Sequence, residues 1–193
     1  LREGSFLLGE SGLSTPLRNL EFSSNWNGSE LNTDDFVLEF DNLSRLEAQA
    51  ALKWDGTNFQ TIELQAKSYE VAVDSLSRVW HPSLASETRQ WVVDRLSGGR
   101  VEEGSLNLLL EQNSSKQMQL KSLESVLQVK DSNIQFYKNL PPGNEVDAIV
   151  KIIPDQVEIK LSRGRVGQLQ LNHGKLLFAP LRTGSPLASI YLK

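Results

Sequence analysis

The sequence predicts a mainly β chain, an antiparallel sheet with one inserted amphipathic α-helix. Three observations carry this: apolar and polar residues alternate with period two in many short runs, turn residues separate the runs, and helical spacing is confined to one place. An apolar content of 39% beside 23% charged residues suits a sheet that keeps one face in water. With 193 residues the chain can bury a sizeable core, either as one domain or as a slice of something longer.

From the N-terminus, Asn25-Trp26-Asn27-Gly28 and Lys53-Trp54-Asp55-Gly56 each follow one strand-like run and precede another, a weak internal echo that suits a repeating sheet. Ile62, Leu64 and Ala66 alternate with polar neighbours, as do Tyr69, Val71 and Val73. The phase slips between the two runs, which predicts a bulge or bend at Lys67 and Ser68. Next, Leu84, Trp91, Val92 and Leu96 fall on one helical face. They predict a helix over about 84–96, with Ser86 capping or opening it, Glu87 in the first turn and Gly98 or Gly99 past its end. Trp80 joins those four as a residue docking the helix on the inner face of the sheet.

Strand patterning then resumes with Leu106, Leu108 and Leu110, and with Val146, Ala148, Val150 and Ile152. Val157, Ile159 and Leu161, a turn at Arg163 and Gly164, and then Leu169 and Leu171 predict a hairpin of fixed register. Turn pairs at Asp55-Gly56, Gly98-Gly99, Gly143-Asn144 and His173-Gly174 complete an antiparallel meander.

Composition excludes most chemistry. There is no cysteine, and His81 and His173 are the only histidines, so a thiol nucleophile, a cysteine-based zinc site and a disulfide are ruled out. The acids are scattered, without an Asp-rich calcium loop or a His-Glu-x-x-His helix, and no Gly-x-Ser-x-Gly elbow appears. Ser97-Gly98-Gly99-Arg100 follows the helix instead of opening one, and so reads as a helix stop and not a phosphate cradle. No metal, cofactor or catalytic residue is expected; the chain reads as a binding surface and not an enzyme. A net charge of -4 with mixed signs argues against nucleic acid. No run of about eighteen apolar residues exists to span a bilayer, and no leader-like segment opens the chain. Its start at Leu1 reads as a piece whose targeting information lies elsewhere.

The motifs Trp80-His81-Pro82, Thr88-Arg89-x-Trp91-Val92, Leu96, Gly98-Gly99 and Val101 to Leu108 resemble the Trp-Pro, Arg-x-Trp, Gly-Gly-x-Val pattern of the YhdP-type branch of AsmA-like bacterial envelope proteins, which have TamB-like relatives. Ile134-x-Phe136-Tyr137, Leu140-Pro141-Pro142, Val146 and Gly164-x-Val166 look like the continuation of the same domain. The resemblance covers roughly residues 76–180; residues 1–75 enter it only as strands. It implies an elongated, curled antiparallel sheet forming an open β-groove, within a long periplasmic protein anchored in the inner membrane, whose apolar interior carries phospholipid acyl chains toward the outer membrane. It divides the chain into residues 1–78, the end of a preceding groove repeat, and residues 79–193, an AsmA-like domain with the helix followed by a β-meander.

An open apolar trough suits acyl chains because each buried methylene is worth about 0.8 kcal/mol. Leu106, Leu108, Leu110, Val150, Ile152, Val157, Ile159, Leu161, Leu169 and Leu171 are the candidate lining, with phospholipid as partner. The same side chains would equally pack against one another in a β-sandwich. A second function also fits: an assembly scaffold that binds other envelope proteins along an edge strand. Arg89 suits either a lipid phosphate or a structural hydrogen bond, and Arg163 and Arg165 suit either a head group or a solvated turn.

Overall fold

The computed structural model describes residues 4–7, 14–40, 44–80, 82, 84–136, 140–181 and 187–192. His81 and Tyr137 of the motifs above lie outside the described residues. Strands β1 (Gly4–Leu7), β2 (Ser14–Trp26), β3 (Glu30–Phe40), β4 (Arg45–Trp54) and β5 (Phe59–Ala72) come first. A 3-10 turn at Val73–Ser75 and a single helical turn α1 (Leu76–Val79) lead to helix α2 (Ser86–Arg95). After it come β6 (Leu96–Ser97), β7 (Arg100–Gln112), β8 (Met118–Ile134), β9 (Gly143–Ile153), β10 (Gln156–Val166), β11 (Leu169–Leu171), β12 (Gly174–Ala179) and β13 (Leu187–Leu192). The fold is mainly β, an antiparallel sheet with one helix of substance; hydrogen-bonded order follows chain order from β1 through β5, β7 to β10, β12 and β13, with β6 beside β8 and β11 beside β10. Among the described residues no pairing joins β1 to β13.

The chain divides into two compact units. The first comprises residues 1–69 and 105–124, the second residues 70–104 and 125–193, so β7 and β8 contribute residues to both. The outer part of the β7–β8 hairpin belongs to the first unit and its base to the second.

In the second unit, alternation on β8, β9, β10 and β12 stacks apolar residues in cross-strand rows. Ile152, Val157 and Phe178 form one row, and Leu127, Val150, Ile159 and Leu176 the next. Helix α2 covers this face. The ring of Trp91 lies 4.5 Å from that of Phe178, Val92 and Leu96 are buried beside it, and Thr88 Oγ1 donates to the Pro154 carbonyl at 2.6 Å. Burying a side chain such as Val92 is worth about 1.5–3 kcal/mol. Helix α2 starts at Ser86, as its sequence suggests, but Ser86 does not cap it. Its hydroxyl donates to the Glu87 carboxylate at 2.8 Å, and the cap is Ala85 at φ 46, without a side-chain cap bond. Arg89 is structural: Nε donates to the Trp80 carbonyl and Nη2 to that of Ser77, both at 2.7 Å. Trp80 in turn donates its indole N–H to the Leu84 carbonyl at 2.7 Å, tying the helix to the turn before it.

Two sequence expectations move. The bulge does not fall at Lys67 and Ser68, where β4–β5 pairing is unbroken from Thr61 to Tyr69; the irregularity is at Glu70, φ 52. The turn does not fall at Arg163 and Gly164, because β10 runs on to Val166 and reverses at Gly167 and Gln168. The chain continues there because β9 still pairs with it across register shifts. Glu145 at φ 52 supplies the bulge and its carboxylate pairs with Arg165 at 2.9 Å. Asp131, also at φ 52, makes the matching irregularity in β8 and accepts from Arg163 at 2.6 Å. Gly143 opens β9 and is not a turn.

Candidate functional site

In the first unit the same alternation gives a different result. Pairing of β2, β3, β4 and β5 places Leu20, Leu38 and Leu46 in one row. Phe22, Phe36, Ala48 and Ala66 form the next, followed by Ser24, Thr33, Ala50 and Leu64, then Trp26, Leu31, Leu52 and Ile62. Trp54 and Phe59 face each other at the end. Bulges keep the rows in phase: the β3–β4 register shifts between Thr33 and Phe36, so that Phe36 returns to the apolar side.

This face is partly exposed along its length. Phe22 is 64% and Trp26 56% exposed, while most of the rest are partly buried by their own neighbours; a buried cluster forms around Leu17, Leu38 and Phe40. Ala48, Ala50 and Ala66 leave the middle of the face lined by small side chains between the larger Phe36 and Leu52.

The opposite face is polar. Arg45 bridges Glu47 at 2.8 Å and Glu39 at 3.5 Å, and a depression of about 580 Å3 there is lined by Glu47, Gln49, Gln65 and Lys67, with Phe36, Ala48 and Ala66 also bordering it. Ser105 and Asn107 of β7 line the same depression, and Leu106, Leu108 and Leu110 alternate with them along the strand. The sheet of the first unit thus carries a charged surface and an apolar one, and the exposed Phe22 and Trp26 lie on the apolar one.

The sequence-selected residues fall into three environments. Leu106 and Leu110 are partly buried and Leu108 is buried, in the first unit. Val150, Ile152, Val157 and Ile159 are fully buried, with Leu161 and Leu171 close to it, as interior of the second unit, where α2 covers the sheet. Leu169 points outward at 69% exposure. The helix-docking residues behave as a group: Trp91, Val92 and Leu96 are buried, Trp80 and Leu84 partly so. Trp91 Nε1 is buried without a hydrogen-bond partner among the described residues. Sequence reasoning passed over the apolar face of β2, β3 and β4. The signal for it was present in Leu46-x-Ala48-x-Ala50-x-Leu52-x-Trp54, a run that alternates with polar residues except at Ala51.

Ion pairs hold the polar side of the second unit. Burial alone would raise the pKa of the Asp147 carboxyl, but the Asp131 backbone N–H at 3.2 Å and the Arg163 guanidinium at 3.1 Å outweigh it and hold it below its ordinary 3.8. Glu158 is lowered chiefly by Lys175 at 3.0 Å, with Lys160 at 3.4 Å assisting. Arg163 and Arg165, both in β10, are therefore engaged with acids of the chain itself.

Among the described residues no group of three or more His, Asp or Glu is placed to hold a metal ion, and no helix is long and apolar enough to cross a membrane. Comparison of the chain with family models, with curated proteins and with solved structures finds no match.

Proposed function

We propose that the apolar face of the first unit receives the acyl chains of phospholipid, and that the chain is a segment of a longer periplasmic protein, anchored in the inner membrane, that carries or shields lipid between inner and outer membranes. The observation behind this is the contrast between the two units. Equivalent alternating strands are sealed under a helix in one, where residues such as Val157 have no exposure, and are left partly bare in the other, where Phe22 is 64% exposed. The motifs of residues 76–180 support the envelope setting by resemblance. The reading is one of binding and not of catalysis: acyl chains need apolar area and length, and each methylene transferred contributes about 0.8 kcal/mol.

The test is native mass spectrometry of the chain purified from a bacterial periplasm, with lipid extraction of the same sample. Co-purified phospholipid is expected. Phe22→Asp and Ala50→Asp, checked for folding by circular dichroism, should lose it. A folded, lipid-free wild-type chain overturns the reading and favours the assembly scaffold, for which crosslinking to an envelope polypeptide is the following measurement.

A further inference from the structure

The apolar face ends at a rim of aromatic side chains. Trp26 closes β2, Trp54 closes β4 and Phe59 opens β5, with the Trp54 and Phe59 rings edge to face at 5.0 Å. Trp26 is 56% and Phe59 43% exposed. All three stand on the apolar side, since Trp26 pairs with Leu31, Leu31 with Leu52, and Trp54 with Phe59.

The turns beyond the rim are polar and locked. Asn27 Oδ1 accepts from the backbone N–H groups of Ser29 and Glu30, and Asp55 Oδ1 from those of Thr57 and Asn58. Asn113 Oδ1 caps the β7–β8 turn in the same way, through Ser115 and Gln117. The tips are joined: Trp54 N–H donates to the Ser29 carbonyl at 2.7 Å. The charged residues at these turns balance in number, Glu30 and Asp55 against Lys53 and Lys116, with Glu30 opposite Lys53 in the β3–β4 register.

We propose that this rim contacts the surface of a zwitterionic phospholipid bilayer. Trp26, Trp54 and Phe59 enter the headgroup layer while the hydrogen-bonded turns stay among the headgroups. Amphipathic aromatic rings favour that layer. A polybasic patch would have selected anionic lipid; a rim whose turns carry acids and bases in equal number has no such preference, so its attachment depends on ring area and not on ionic strength. The inference rests on the reading of the apolar face as a lipid site, because the rim is where that face would meet a membrane.

Flotation of the full chain with large vesicles of phosphatidylcholine and phosphatidylethanolamine tests it. The wild type is expected to float with the vesicles equally at low and high NaCl, and added phosphatidylglycerol should change nothing. The Trp26→Ser, Phe59→Ser double variant should partition about tenfold less, given what burial of such rings is worth. Exchanging the two aromatics, Trp26→Phe with Phe59→Trp, should restore flotation. Absence of wild-type flotation, flotation indifferent to the Ser variant, or flotation that needs anionic lipid and fades with salt would each overturn the proposal. Lipid uptake by native mass spectrometry, run in parallel, separates the two ideas. Uptake without flotation removes the rim alone; flotation without uptake removes the acyl-chain reading and leaves the rim.

Discussion

The hydroxyl of Thr88, a residue with no exposed surface, donates to the carbonyl of Pro154 at 2.6 Å, fixing the first turn of α2 to the loop between β9 and β10. Both partners are polar groups in an apolar setting, so removing one strands the other. Thr88→Val keeps the shape and deletes the donor. It should cost about 1–3 kcal/mol, read as a lower midpoint in urea with an unchanged slope; an unchanged midpoint would show that water replaces the hydroxyl.

The two units should respond unequally to truncation of an apolar side chain. Ile159 is fully buried in the second unit, and Ile159→Ala should destabilise by about 2–5 kcal/mol. Phe22, 64% exposed on the apolar face, should lose no more than about 0.5 kcal/mol on truncation to Ala. Thermal denaturation of both variants, with lipid binding measured alongside, checks this. Equal destabilisation would mean that Phe22 is covered in solution.

Gly99 sits at φ +67, where a Cβ would overlap the Lys130 carbonyl oxygen and the Ser132 hydroxyl. A side chain is thus opposed by backbone conformation and by space at once. Gly99→Ala should destabilise by more than about 1–3 kcal/mol, well beyond Gly98→Ala, whose Cβ would meet only the flexible Asn133 side chain. Comparing their denaturation midpoints decides it; equal midpoints would show that the Lys130 strand yields.

Acid should weaken the second unit through Asp147. Its carboxyl has a lower pKa folded than unfolded, so the folded state binds fewer protons. The resulting stabilisation is present above the ordinary value of 3.8 and is lost as the pH falls through the lower, folded value. Glu158, lowered from 4.5, acts in the same direction. The thermal midpoint of the wild type should fall through this acid window, and that of Asp147→Asn should start lower and fall less steeply. Parallel curves would remove Asp147 as a cause.

Much of this was legible in the alternation of residues. The run Val146, Ala148, Val150, Ile152 and its partner Val157, Ile159, Leu161 fixed two adjacent strands and their inward faces, because a strand has only two faces and a slip by one residue would expose the whole set. The stripe Leu84, Trp91, Val92, Leu96 placed the helix to within two residues at its start. Less legible were the bulges. Glu70, Asp131 and Glu145 all adopt φ 52, and nothing in a local window distinguishes them from acids in regular strands; ion pairs accompany that conformation, with Arg100 and Arg165 on the adjacent strand and with Arg163 two strands away. The reversal after β10 was misplaced for the same reason, since Arg163 and Gly164 look like a turn until β9 is beside them.

Sequence alone determined that the strands are two-faced and that one helix accompanies them, since period and composition are local properties of the chain. Which apolar surface is sealed and which is left bare was decided only in three dimensions. The patterns around Ile159 and around Leu52 read alike, yet α2 covers the sheet that holds the first, and among the described residues the second has no layer packed over it. Burial is set by what packs from elsewhere in the chain, and alternation carries no record of it.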